Sequence, residues 1–491
     1  MPPIAPPIAS ARRSALTMML LLASSGCSLT PAYVRPNVQV PVTLGASEAS
    51  ENQRQVVLRA ALTEQERRFA QTLVPGAELE GILQRGLAQN ADYRIAGLTV
   101  ERARAELKIQ RANRVPQVDF TARAQRQHFD DDALDARYQQ DLKSAGIGIS
   151  DFEMDLFGRV KAMSAASRER FVASEHGRQA LRGAVIAEVL RAYVAEQTAA
   201  ADQVQANNLH EVSQALLKIA AARQQVGVAS IDEVNAYRAA ADQTHIDVQR
   251  AADRQRSALR ALQILTGYDV VPARIAIEVL AASNEVPQAL RELDSAILLT
   301  RPDVRQAEAE LRAANADIGA ARAAFFPSIT LSTGVGTASE DLGGLFESGS
   351  RSWSFIPQLS LPIFDLGRRR ANLDLAHLRK RTEIVEYERT IQSAFREVAD
   401  ALDAVQTTTR AQARSAQKAQ ESQQRAARVL VRVSRGLHDP AAALDARAEA
   451  SHDAQSHLAT VRDQAFAQIS LFSALYDVEY APPAPVSVVT R

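Results

Sequence analysis

In the second half of the chain, Ile391, Phe395, Val398, Leu402 and Val405 recur at spacings of 4, 3, 4 and 3. That rhythm is a heptad seam, an apolar stripe along a helix that packs lengthwise on another. It lies inside a helix-forming stretch at about 369–435, and an equally long one occupies about 160–226. A second helical stretch follows each, at Ser230–Leu265 and Ala441–Leu475. Between the partners, Val226-Gly227-Val228 and Arg435-Gly436-Leu437 each supply a glycine for a turn, which predicts two helical hairpins. A different rhythm precedes each hairpin. Helical stretches at about 76–114 and 287–325 stop at Val115-Pro116 and Phe326-Pro327, because proline disfavours helix in the residue before it. Period-two alternation then predicts strands at Val118–Ala122 and Ala145–Met154, and again at Ser328–Val335 and Trp353–Leu361. Polar loops separate them, including Asp130-Asp131-Asp132 and Gly343-Gly344.

The two halves are copies of one unit. At a shift of 211, Asp92, Arg94, Ala96, Ala103, Ala105, Arg111, Ala112 and Pro116 meet identical residues, Pro116 falling on Pro327 (327 − 116 = 211). Asp155-Leu156-Phe157-Gly158-Arg159 then meets Asp365-Leu366-Gly367-Arg368, one residue shorter, and Gly227 falls on Gly436 at a shift of 209 (436 − 227 = 209). A period this long is no solenoid repeat; each copy is a helix-strand-strand-helix-helix unit. The fold class is therefore mainly α with a β portion of four strands. Ten-residue strands have the length to cross a bilayer when tilted, yet four cannot close a barrel, and open edges are not tolerated in lipid. If the strands are membrane-inserted, the chain must oligomerise.

Composition narrows the function. Hydrophobic residues are 46% but aromatics only 5%, as in long helices and coiled coils, and 57 Lys and Arg balance 57 Asp and Glu. No net field favours nucleic acid. The eight histidines are scattered without metal-ligand spacing, and no glycine-rich phosphate loop occurs, so neither an enzyme nor a bound cofactor is expected, and energy for any transport must come from a partner. The single cysteine excludes an internal disulfide. It is Cys27, which follows Arg12-Arg13, the apolar run Ala15–Ala23 and the small residues Ser24, Ser25 and Gly26. This stretch resembles a lipoprotein signal peptide. That resemblance implies cleavage before Cys27, diacylglycerol on its thiol and an acyl group on its amine, holding the amino terminus on a membrane. Ser28, rather than Asp, resembles lipoproteins sorted to the outer membrane.

Four motifs in this order, Cys27-Ser28-Leu29 with Pro31, Tyr33, Arg35 and Pro36; Arg301-Pro302-Asp303-Val304; Phe325-Phe326-Pro327-Ser328-Ile329; and Leu361-Pro362-Ile363-Phe364-Asp365-Leu366-Gly367-Arg368, complete the picture. With the duplication, they resemble the outer-membrane factor family of TolC and OprM type, in particular its lipoprotein branch of efflux channels. The resemblance implies a homotrimer with four strands per chain in one twelve-stranded transmembrane β-barrel and a long coiled-coil tunnel in the periplasm of a Gram-negative bacterium. It also implies a periplasmic adaptor and an inner-membrane pump of RND type as partners, with export of small molecules such as drugs. Domains are expected at 1–26 (signal peptide), 27–75 (lipid-anchored segment), 76–283 and 284–476 (the two efflux repeats) and 477–491 (tail). The tips Val226, Gly227, Val228, Arg435, Gly436 and Leu437 match the family's adaptor-contact motif. Asp445 matches a constricting acidic position of its periplasmic gate, Glu233 is the counterpart in the first copy, and His438 stands where the family has a gating arginine. A duct for protein secretion and a pore-free periplasmic scaffold are the alternatives.

Overall fold

Proline and glycine end the long elements in the same order in both halves. In the computed structural model, which describes residues 29–36, 60–138, 140–267, 270–280 and 295–478, the first half holds α1 (Glu64–Leu73), α2 (Glu78–Gln89), α3 (Ala91–Ala112), β1 (Val118–Gln127), α4 (Asp132–Tyr138), β2 (Gln140–Met154), α5 (Arg159–Gln225) and α6 (Ile231–Thr266). A single turn, α7 (Ile277–Leu280), leads to the second half: α8 (Pro302–Ala323), β3 (Ser328–Ser339), β4 (Arg351–Ser360), α9 (Arg368–Ser434) and α10 (Pro440–Ala474). Residues 29–36 are irregular and exposed. Cys27 and its lipid lie outside the described residues, as does most of the tail. No described helix is long and apolar enough to cross a membrane.

Corresponding helices have equal lengths: 22 residues for α3 and α8, 67 for α5 and α9. At 1.5 Å per residue, each of the latter is roughly 100 Å long. Their shared start explains the repeated Asp-Leu motif. Gly158 and Gly367 enter helix from left-handed backbone (φ 77° and 85°), so neither can cap with a side chain. The preceding aspartate caps instead: Asp155 accepts from the N–H groups of Val160 (3.1 Å) and Lys161 (2.7 Å), and Asp365 from those of Gly367 and Arg369 (3.1 Å each).

Three expectations need correction. The stretch 76–114 is two helices, because Asn90 leaves helical backbone (ψ 123°) and its side chain caps α3 by accepting from Tyr93 N–H at 2.9 Å. The stretch 287–325 likewise breaks before Pro302: a 3-10 turn, Ser295–Thr300, precedes extended Arg301 (φ −56°, ψ 141°), and α8 starts afresh with proline at its first position. Of the heptad seam of α9, only Val405 is buried within the chain. Ala394, Ala401 and Val405 are covered, whereas Phe395 is exposed and Ile391, Val398 and Leu402 are half-buried. Small alanines let α9 approach its own partners closely, which leaves the larger seam residues facing away.

The four strands form one antiparallel sheet in the order β1-β2-β3-β4, so the central β2–β3 pair joins the two copies. The helices continue that order. Next to the sheet, α3 packs on α5, α5 on α8 and α8 on α9; farther away, α6 packs on α5, α5 on α10 and α10 on α9. The wall thus carries first-copy elements at one edge and second-copy elements at the other. The main core sits halfway along α5, where Val185, Ile186, Val189, Leu190 and Tyr193 meet α1, α2 and the carboxyl ends of α6 and α10. Gly183 is required there, because a Cβ would meet the Tyr476 ring at 2.5 Å. Gln-rich α9 and α10 rely on polar links such as Ser415 Oγ with His457 Nδ1 (3.0 Å) and Thr460 Oγ1 (2.6 Å).

Candidate functional site

Two regions of this wall carry features that packing alone does not explain. The first is the sheet. Its register places Phe120, Ile147, Val335 and Trp353 side by side in one row, and they are 72, 54, 61 and 79% exposed. Val118, Ile149, Thr333 and Phe355 form the next row on that face. The opposite face alternates with it: Thr121, Gly146, Gly336 and Ser352, then Asp119, Gly148, Gly334 and Ser354. A sheet with one apolar, uncovered face and one polar face of small residues matches a transmembrane barrel wall, apolar to lipid and polar to the lumen. Strands of 10 to 15 residues, tilted, span its roughly 25 Å apolar band. At the helix end of the sheet, Phe157 and Phe326 stack at 4.8 Å and Arg369 lies over Phe325 at 5.7 Å, so aromatic rings gather at one rim.

The second region is the far end of the hairpins. Both turns are Schellman motifs. Val228 N–H donates to Arg223 O (2.8 Å) and Gly227 N–H to Gln224 O (2.9 Å); Leu437 N–H donates to Arg432 O and Gly436 N–H to Val433 O (2.9 Å each). Gly227 and Gly436 have φ of 76° and 71°. The geometry leaves Val226, Val228, Ile231, Arg435, Leu437 and His438 exposed. Both tips therefore expose apolar side chains that the hairpins themselves do not cover.

Above the tips the two hairpins are linked by Arg223, in the last turn of α5, whose Nη1 lies 3.1 Å from Asp439 Oδ2. Asp439 also caps α10 by accepting from Ala441 N–H at 2.9 Å. That double role accounts for the Asp-Pro at this turn, proline being at ease in the first helical position. Ser230 caps α6 through Glu233 N–H at 3.1 Å. Asp445 stands on α10 with part of its side chain open to solvent, and partial desolvation, then the charge of Asp439, raises its carboxyl above the ordinary value. Burial also raises the Tyr237 hydroxyl on α6, and the carboxylates of Asp445 and Glu233 push it further. The sequence-expected residues Asp445 and Glu233 both act electrostatically on Tyr237, whereas His438 lies at the exposed turn. Tyr237 and Arg223 escaped the sequence reading. Arg223 has a duplicate in Arg432 at the shift of 209 (432 − 223 = 209), and only the fold reveals which of the two reaches across. No group of three or more potential metal ligands occurs among the described residues.

The family model described as outer membrane efflux protein matches residues 82–268 and 293–475. The chain is 38% identical to outer membrane protein OprJ of Pseudomonas aeruginosa over 403 residues, covering 80% of this chain and 81% of that one. It is 34% identical to solvent efflux pump outer membrane protein SrpC of Pseudomonas putida over 485 residues, covering 94% and 97%. The structure of the MtrE outer membrane channel of Neisseria gonorrhoeae, in its open state, superposes with a TM-score of 0.72 at 30% identity, covering 91% and 98%.

Proposed function

Because this chain belongs to the outer membrane efflux protein family and is an outer-membrane efflux channel reaching into the periplasm, we propose that three copies close into the passive exit duct of a tripartite pump. One observation carries this reading: among the described residues there are two unpaired edges at every level, β1 and β4 in the sheet and α3, α6 and α9 in the helical wall. In lipid, β1 must find the β4 of another copy, a head-to-tail contact that forms a ring if it closes. Two copies would give eight strands, whose interior side chains fill; three give twelve and leave a lumen. The seam residues Phe395, exposed, and Val398 and Leu402, half-buried, lie on α9, the edge helix, where a neighbouring copy would cover them. The duct itself performs no catalysis, and the pump at the inner membrane, of RND type, supplies the energy. The exposed tips around Gly227 and Gly436 receive the periplasmic adaptor. The exported molecules are small, as the relative's name, a solvent efflux protein, suggests.

Asp445 and the Arg223–Asp439 link form the gate at the narrow end. Three Asp445 carboxylates around a threefold axis would draw cations into the constriction. In planar bilayers, Asp445→Ala is expected to raise single-channel conductance several-fold and weaken cation selectivity. Arg223→Ala is expected to raise conductance too, while changing stability by no more than about 1 kcal/mol, since the pair is exposed. Unchanged conductance in both variants would remove these residues from the gate; no pores from a folded trimer would remove the duct. Cys27 carries diacylglycerol and an N-acyl chain by the same proposal. The intact mass of the mature protein should exceed that of the polypeptide by three acyl chains and glycerol, and a bare polypeptide mass would refute it.

A further inference from the structure

Where the helices leave the barrel, α3 and α5 flank a groove of about 420 Å³. Its floor is apolar: Leu107 is buried, and Phe171 and Val172 are half-buried. Its rim holds Arg104, Lys108, Arg111 and Arg168. Arg104 lies over the Phe171 ring and has Glu175 at 3.9 Å. The side chains of Lys108, Arg111 and Arg168 are exposed and have neither a hydrogen bond nor an ion pair among the described residues. Arg170, two residues on and about 200° round the helix, is by contrast paired with Asp317.

The side that this groove faces follows from helical spacing. On α5, Lys161 and Arg168 stand 14 and 7 residues before Glu175, itself 7 before Arg182, so all share one stripe. Arg182 bonds Glu66 and Tyr93, and Arg178 lies over the Tyr93 ring. On α3, Tyr93, Arg104 and Arg111 stand 11 and 7 residues apart, again one stripe. The groove therefore opens on the side that carries α1 and α2. Three copies of that added layer would plug a duct from within, so this side is the outside of the ring.

Its depth fits the membrane boundary. Arg111 lies in the last turn of α3, with the lipid-facing Val118 seven residues on, and Lys108 and Arg104 are about one and two turns (roughly 5 and 10 Å) farther from the sheet. A bilayer's headgroup zone is roughly 5–8 Å deep on each side, within reach of these side chains. An outward groove with an apolar floor and a cationic rim, continuous with the lipid-facing sheet, has the complement of an amphiphile with a negatively charged head.

We propose that this groove binds an anionic phospholipid of the periplasmic leaflet, its phosphate held by Lys108, Arg111 and Arg168 and its acyl-glycerol portion over Leu107 and Phe171. The inference rests on the trimeric duct for its outward direction, and it is tested separately from conductance. Native mass spectrometry of the detergent-purified trimer, titrated with phosphatidylglycerol or phosphatidylcholine, should show about tenfold preference for the former, in keeping with the attraction of clustered cations to acidic lipid. The triple variant Lys108→Gln, Arg111→Gln, Arg168→Gln should bring that ratio close to one. Replacing Arg410, Arg414 and Arg428, three exposed arginines elsewhere on α9, by Gln should leave it unchanged. A preference retained in the first variant, or lost equally in both, would overturn the proposal. Complete displacement of the lipid by millimolar inorganic phosphate would also overturn it, as the mark of a free-anion site. Unchanged conductance of the first variant would keep the duct intact whichever way the lipid ratio falls.

Discussion

Gly148→Leu is expected to abolish assembly of the trimer in the outer membrane while leaving synthesis of the chain intact. Gly146 and Gly148 of β2 stand directly across from Gly336 and Gly334 of β3, on the polar face where the two copies of the unit meet. A Cβ on Gly146 would lie 2.7 Å from Val335 O and 3.0 Å from Gly336 Cα, and one on Gly148 or Gly336 would come closer still to the carbonyl across the ladder. The obstacles are backbone atoms, so no rotamer change relieves them. Backbones pinched on one face are what a sheet shows where it curves, and glycine is the residue that permits it. A bulky side chain there must flatten the sheet or part the strands, at a cost on the order of 3 kcal/mol per chain, incurred three times in a closed barrel. The measurement is the fraction of heat-resistant trimer in outer-membrane extracts. Gly343→Ala serves as the control, because a Cβ in that loop meets only Asp341 at an ordinary 3.5 Å. If Gly148→Leu assembles as well as the control, the pinched glycines Gly146, Gly148 and Gly336 are not what bends the wall.

Glu66→Ala should destabilise each chain by roughly 3–5 kcal/mol, the usual result of stripping one partner from a buried ion pair. The Glu66 side chain is fully buried in α1 and ties three distant parts of the sequence together. It accepts from Arg182 Nε at 2.7 Å and Nη2 at 2.9 Å on α5, from Tyr476 OH at 2.7 Å beyond α10, and from Thr63 N–H at 2.7 Å in the capping box of its own helix. Burial by itself would raise the carboxyl, yet the bonds from Arg182, Tyr476 and Thr63 hold it below the usual carboxylate value. The sign of the pH effect follows. The native value is the lower one, so the contribution is complete above the unfolded value near 4.3 and is lost as pH falls through the native one. Wild type should therefore lose stability steeply on acidification below about pH 5, and Glu66→Gln should lose less over the same range. Denaturant unfolding at pH values from 7 down to about 3 follows both proteins through this range, and parallel curves for the two would show that Glu66 is not the titrating group.

Local chemistry made the architecture readable. Pro116 and Pro327 marked where helix yields to strand, and Gly227 and Gly436 marked the hairpin turns, because each residue type constrains its own backbone. The duplication made those signals count twice. What the sequence left unread lies between elements. No local signal says that α1, within the segment taken only as an anchor, inserts Ala70 and Leu73 into the core and stacks Phe69 on Phe472 at 4.3 Å. Of the heptad seam only Val405 is buried within the chain, where α9 otherwise buries small residues such as Ala394 and Ala401, and a sequence cannot say what covers the rest of the stripe. Of the residues in the proposed gate region, Asp445 came from the family resemblance, whereas Arg223 and Tyr237 become visible only when α5, α6 and α10 are brought side by side.

The unpaired edges also constrain the order of events in the life of the protein. A single chain that entered the bilayer would present the open backbone of β1 and β4 to hydrocarbon, where water cannot satisfy it. Secretion, trimerisation and insertion thus cannot follow one another with the monomer as the inserting species. The chains must meet on the periplasmic side first, so the yield of finished channels should climb more steeply than in proportion to the supply of chains.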